Sequence, residues 1–150
     1  MKLFYIYSRA DEALRAELEI SLALLRREGK IESWHDRRIV PGTEWDGEID
    51  RHLQDADIIL LLVSRYFIAS NYIWDVEMKL ALQLHEEKRA RVIPIFLSSC
   101  DWETAPFAKI QGLPSTGKPV TDWSNPDQAW KDVSLGIRRA IEDMETRKTR

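Results

Sequence analysis

Cysteine is almost absent from the sequence, since Cys100 is the only one among 150 residues. A single thiol excludes an intramolecular disulfide and a cysteine-based zinc site. The three histidines, His35, His52 and His85, fall on different predicted elements without the spacing of metal ligands, so no metal site is predicted. A chain that uses no disulfide suits a reducing compartment, and we therefore expect a cytoplasmic protein.

Long apolar runs and an excess of one charge are also missing. No run approaches the roughly 20 apolar residues of a membrane-spanning helix, and no signal-peptide cleavage site follows the early LFYIY, so neither membrane insertion nor secretion is expected. The net charge is −3 and no basic stripe appears, which argues against nucleic acid as a partner. The length suits one domain, predicted at 1–145, with 146–150 as a tail or the start of a linker.

Glycine-rich phosphate-binding motifs are absent too. The turn after the first strand reads YSRADE, so the GxGxxG dinucleotide fingerprint is missing, and there is no GxxxxGK[ST]. A phospho-receiver domain needs acids after strand one and an aspartate at the end of strand three, where this chain has Ser8-Arg9 and Ser64. No Ser-His-Asp triad can be ordered from the sequence.

What is present is an alternation of strand-like and helix-like segments. Apolar runs predict strands at 3–7, 31–35, 57–64 and 91–97, with a short edge strand at 119–122. Helical patterns lie at 11–30, at 43–56, from residue 70 onward and from Asn125 onward, while 98–118 looks irregular. This order predicts an α/β protein with a flavodoxin-like, doubly wound, five-stranded parallel sheet and helices on both faces.

One carboxylate stands out in the third helix, SNYIWDVEMKLALQL. On a helical wheel Glu77 lies within about 60° of four apolar residues, with Trp74 at the border of the stripe; the four are Ile73, Leu80, Ala81 and Leu84. Burial of an unpartnered carboxylate is costly, so either a partner satisfies Glu77 or the apolar stripe borders a cavity there.

The predicted topology favours a site at this position. Ligands of doubly wound sheets bind outside the carboxyl ends of the strands, and the helix with Glu77 begins at that rim. Glu77 is then either a structural acid, favoured by the helix dipole or paired with Arg9 or Arg65, or a lone carboxylate in an aromatic-lined crevice. A lone carboxylate suits cleavage of an activated glycosidic bond whose leaving group departs neutral, such as nicotinamide from NAD+.

Several segments together resemble a TIR domain of the bacterial type. LFYIYSRADE is similar to the first box of the family, and WHDRRIVPGTEWDGEI to the second box with its loop. DADIILLLVSRYFIASNYIWDVEM resembles the central strand and the helix that carries the catalytic glutamate, while RVIPIFLSSCDW and GKPVTDW match later strands. The resemblance covers residues 2 to 142, and it implies a flavodoxin-like fold with either NAD+ cleavage or partner recruitment as the activity.

The resemblance also implies roles for individual residues. Glu77 takes the place of the catalytic glutamate, which holds the ribose hydroxyls and stabilises the developing cation. Ser8 and Arg9 fall in the first-box turn that lines the nucleotide crevice. Trp45 occupies a common aromatic position and either stacks on a base or the nicotinamide, or anchors the second helix.

Three further residues are candidates for the wall of the site: Asp36, Ser70 and Trp74, the last standing where plant members often have cysteine. NAD+ would be the substrate, and no cofactor is implied. Self-association, in part through loop 36–45, and a fused or partner sensor domain are expected. The expected function is an NAD+ nucleosidase or ADP-ribosyl cyclase that serves bacterial antiphage defence or cell suicide; the alternatives are a non-catalytic interaction module and a virulence factor that mimics host TIR domains.

Overall fold

Four parallel strands form the sheet of the described chain. The structure is a computed structural model that describes residues 1–34 and 51–148, with only the backbone of Trp34. The strands are β1 (Lys2–Ile6), β2 (Glu32–Trp34), β3 (Ile58–Val63) and β4 (Arg91–Phe96), in the order β2-β1-β3-β4. Every neighbouring pair is parallel, as the alternation of strands and helices predicts.

Helices cover both faces of this sheet. The α-helices are α1 (Glu12–Ser21), α2 (Ala23–Arg27), α3 (Arg65–Ala69), α4 (Met78–Glu86) and α5 (Pro126–Lys148), and residues 51–54 are also helical. Alternate strand residues face opposite sides, so the core divides into two clusters. Leu60 of β3 packs with α1, α2 and α5, while Leu61 packs with α3 and α4. The predicted α/β fold with helices on both faces is confirmed.

β3 is the central element of the core. All six of its residues, IILLLV, are buried, as expected for a strand covered on both faces. α5 contributes an apolar side to the core, since Trp130, Val133, Ile137 and Ile141 are buried. At its start, Asn125 Oδ1 accepts a hydrogen bond from the Asp127 amide. No helix within residues 1–34 and 51–148 has both the length and the apolar character needed to cross a bilayer.

The predicted fifth strand at 119–122 is wrong. Val120–Asp122 is a 3-10 helix, preceded by Pro119, which has no amide hydrogen for a strand ladder. The Thr121 amide donates to the Leu97 carbonyl oxygen, so the segment crosses beyond the end of β4 rather than running beside it. The fifth position in the described part of the sheet is instead marked by a single bridge between Leu113 and Ile95.

The predicted helix over 11–30 is interrupted. A 3-10 turn (Arg9–Asp11) precedes α1, and the helix is interrupted at Leu22, between α1 and α2. The Ser21 hydroxyl donates to the Glu17 carbonyl oxygen four residues earlier, a bond that bends helices. Gly29, with φ of +72°, ends the helical region as predicted.

The outer edge of β4 is closed to further strand pairing. The Val92 amide donates to His85 Nδ1 at 3.1 Å, Pro94 has no amide hydrogen, and the Phe96 amide donates to the Leu113 carbonyl oxygen at 2.8 Å. Burial lowers the pKa of His85 from its ordinary 6.5, which agrees with an Nδ1 that accepts a hydrogen bond. Because these groups are all occupied or absent, a peptide has no free amide here to pair with.

Candidate functional site

Glu77 ends a π-helical turn rather than lying in a regular α-helix. The π-helix comprises Ile73–Glu77 and continues directly into α4. Glu77 is 5% exposed. Because a π turn is wider than an α-helical turn, α-helical spacing does not hold across residues 73–77. Such π turns are rare, and they are frequent at functional sites because they redirect a side chain within a helix.

The apolar side predicted for this helix is nevertheless confirmed in outline. Ile73, Ala81 and Leu84 are buried with Glu77, whereas Leu80 is only half-buried. The opposite side is exposed and consists of Asp75, Lys79, Gln83 and Glu86. Glu77 therefore belongs to the side of the helix that packs toward the sheet.

Aromatic rings support the π-helix from the irregular segment 98–118. The ring of Trp74 meets the ring of Phe107 edge-on at 6.5 Å between centroids, and Phe107 meets Phe67 of α3 in the same way at 6.0 Å. Ser70 precedes the turn, and its hydroxyl accepts a hydrogen bond from the Ile73 amide at 3.3 Å. Ser70, Trp74 and Glu77 thus lie on the single stretch 70–77, which contains the π-helix.

The first-box turn lies at the carboxyl end of β1. Ser8 caps the 3-10 turn, and its Oγ accepts a hydrogen bond from the Ala10 amide at 3.3 Å. Ser8 is half-buried and Arg9 is exposed, so both are available at the rim. Their roles toward a ligand stay predictions.

A buried carboxylate in the 3-10 turn after β1 joins two strand ends. Asp11 is 5% exposed, and its Oδ2 accepts a hydrogen bond from the hydroxyl of Ser64, which directly follows β3. Ser64 Oγ also accepts a bond from the Phe67 amide and so caps α3. The only sequence signal was an acid soon after a strand, and its partner is 53 positions away.

Burial raises the pKa of Asp11 above its ordinary 3.8, and the hydrogen bond from Ser64 opposes that shift. Between 3.8 and the raised pKa the folded chain holds more protons than the unfolded chain, so stability contributed at this position falls as pH rises. We expect Asp11→Asn to become more stable relative to wild type as pH rises through this window. Urea denaturation of both proteins at several pH values measures the difference in their free energies of unfolding. The asparagine oxygen still accepts from Ser64 but does not ionise.

Asp75→Asn, a change at an exposed aspartate, is the matched control for that experiment. If Asp11→Asn and wild type differ by the same free energy at every pH, the ionisation of Asp11 carries no such cost.

Two predicted site residues, Asp36 and Trp45, and the whole of loop 36–45 lie outside the described residues. The described part of the site therefore consists of a rim at the ends of β1 and β3 and of the π-helix with its aromatic support.

Parallel strands in the order β2-β1-β3-β4, with helices packed on both faces, define a doubly wound α/β domain. The TIR domain family model matches residues 4–132, and the chain belongs to that family. The family assignment agrees with the boxes noted in the sequence, from the first strand to the last helix.

A named relative shows the same relationship over most of the chain. An uncharacterized protein, y4lF, of Sinorhizobium fredii is 49% identical over 138 residues, which is 92% of this chain. The chain spans 43% of the length of that relative. The relative's name states no activity, so the chemistry has to be argued from the residues.

Proposed function

We propose that this TIR domain cleaves the bond between nicotinamide and ribose in NAD+, with Glu77 as the catalytic carboxylate. The observation that carries the proposal is the burial of Glu77 at the end of a π-helical turn in which Trp74 packs against Phe107. A carboxylate held away from bulk water interacts more strongly with a nearby cation than an exposed one does. Membership of a family that includes NAD+-cleaving enzymes supports the same conclusion.

The proposed reaction breaks the C1′–N bond of the nicotinamide riboside. The bonding electrons pass to the nicotinamide nitrogen, so the positively charged pyridinium leaves as neutral nicotinamide and needs no acid to protonate it. Positive charge then develops on the ribose, where the Glu77 carboxylate stabilises it. Water adds to C1′ and releases a proton to give ADP-ribose, or the adenine of the same molecule adds instead and gives the cyclic product.

The wider role that we propose is an effector of bacterial antiphage defence or cell suicide, activated by self-assembly. Ile20 is 73% exposed and Leu24 is 60% exposed on the α1–α2 side of the molecule. We take these two side chains as part of the surface through which copies of the domain would meet. This chain spans 43% of the length of y4lF, so that relative carries a segment beyond its TIR domain. A fused or partner segment of this kind would sense the trigger.

A non-catalytic interaction module is the second candidate, and the same two exposed side chains support it. The two candidates differ at Glu77, because an interaction module gains nothing from a buried carboxylate in an otherwise apolar face. Virulence by mimicry of host TIR domains is a special case of this second candidate.

Incubation of concentrated protein with NAD+ tests the proposal. We expect loss of NAD+ with release of an equal amount of nicotinamide, followed by chromatography, because both product types release the same leaving group. Assembly on a surface or by fusion to an oligomerising domain should raise the rate per molecule. No release of nicotinamide by any assembled form would favour the interaction module.

A further inference from the structure

Two adjoining cavities lie beside β4, away from the candidate site. His85, in the last turn of α4, lies about 12 Å along the helix axis from Glu77. Between β4, residues 110–113 and α5 there is a cavity of about 430 Å³, within the roughly 300–1,000 Å³ typical of small-molecule sites. Since the β4 edge is closed to strand pairing, this cavity is not a vacant strand position.

The wall of the first cavity is mainly apolar. Ile93, Ile110 and Ala140 line it, and the exposed Gln111 adds an amide that can both donate and accept. A Cβ at Gly136 of α5 would lie 2.4 Å from Leu113, so the absence of a side chain there lets α5 approach the 110–113 segment. His85, Arg91, Ser115 and Arg139 also line this cavity, so it combines an apolar surface with polar and cationic groups. Such a lining suits a ring that has polar edges and carries an anionic group.

A second cavity of about 490 Å³ adjoins the first and shares His85 and Arg91 with it. Its lining contains more cations than acids: Lys88, Arg89, Arg91, Arg147 and Lys148 against Asp57 and Glu86. The chain as a whole carries a net charge of −3, so this concentration of cations runs against the overall balance. These cations form no single basic stripe in the sequence, because the fold gathers them from two separate segments.

The guanidinium groups here already converge on an oxyanion. Arg91 Nη2 lies 2.8 Å and Arg147 Nε lies 3.1 Å from Oδ2 of Asp143, and the hydrogen bond from Arg91 lowers the pKa of that carboxyl. Arg139, which lines the first cavity, is exposed. Guanidinium pairs of this kind bind phosphate as well as carboxylate.

We propose that the two adjoining cavities form one binding site for a nucleotide, with the base in the apolar cavity and the phosphates against Arg91 and the neighbouring cations. The apolar cavity alone would hold an uncharged ring only weakly, and the cationic cavity alone would not discriminate among anions. Because Arg91 lines both cavities, a ligand that contains both a ring and phosphates can occupy the two together. Such a site lies apart from Glu77 and takes no part in the reaction proposed there.

Calorimetric titration of the whole chain with ADP tests this site. We expect a dissociation constant of about 1 mM or lower for ADP, and weaker binding by at least about tenfold for both adenosine and inorganic pyrophosphate. Pyrophosphate that binds as tightly as ADP would identify a phosphate site without a base pocket and overturn the proposal. An absence of ADP binding would overturn it as well.

Variants locate the binding. Arg91→Gln and Arg139→Gln should each weaken ADP binding about tenfold. The matched control is Arg138→Gln, the same change one residue away, where the side chain pairs with Glu28 on the other side of α5. Ala140→Leu should reduce ADP binding and leave pyrophosphate binding unchanged, because the larger side chain occupies only the apolar cavity. ADP binding that is equal in wild type, Arg91→Gln and Arg139→Gln would place the nucleotide elsewhere and contradict the proposal.

Discussion

Glu77→Gln is expected to abolish the release of nicotinamide from NAD+, by at least about 100-fold relative to wild type. Glutamine has nearly the same shape and still forms hydrogen bonds, but it carries no negative charge to stabilise the developing ribose cation. Because Glu77 is 5% exposed, water cannot readily supply the missing stabilisation. The measurement is nicotinamide release at equal protein concentration, with circular dichroism to show that the helices are retained.

The control for this variant is Asp75→Asn in the same π-helix. Asp75 is exposed, so the change removes one negative charge nearby without altering the buried side of the turn. Wild-type turnover by Asp75→Asn alongside loss of turnover by Glu77→Gln assigns the effect to the buried carboxylate. Equal turnover by wild type and Glu77→Gln would remove Glu77 from the role proposed for it.

Phe107→Ala should produce a large loss of stability, about 3–5 kcal/mol in the free energy of unfolding. Phe107 is fully buried, and its ring contacts those of Phe67 and Trp74 edge-on. Truncation leaves a cavity between the 98–118 segment, α3 and the π-helix. Urea denaturation followed by circular dichroism measures the change, and the urea midpoint should fall accordingly.

Two variants accompany this measurement. Ile20→Ala truncates an apolar side chain that is 73% exposed and should alter stability by no more than about 0.5 kcal/mol. Phe107→Leu should recover part of the loss, because it refills part of the cavity. A Phe107→Ala loss as small as that of Ile20→Ala would show that the 98–118 segment does not support the π-helix.

Local pattern was sufficient for most of the elements. The uninterrupted run IILLLV predicts a strand buried on both faces, and the Asn125 cap with Val133 and Ile137 predicts the last helix. Such signals depend on residues within one or two turns of each other, which the sequence displays directly. The pattern at 119–122 failed because Pro119 and the bond from Thr121 to Leu97 direct that segment across the sheet end.

The candidate site was predicted only in part. The apolar stripe around Glu77 was visible from helical spacing, but the widening of the turn was not, because a π-helix depends on how the helix packs. Ser8, Arg9, Ser70 and Trp74 fall in the described structure, and their roles toward NAD+ stay predictions.

The sequence by itself determined the class of fold, the alternating order of strands and helices, and the presence of one acid among apolar neighbours. These features follow from hydrophobic periodicity and capping, which act over short stretches of chain. The tertiary structure alone decided that Asp11 meets Ser64, that Phe107 supports the π-helix, and that scattered cations gather beside β4. Each of these joins residues far apart in the chain, and such contacts arise only when the strands have taken their places in the sheet.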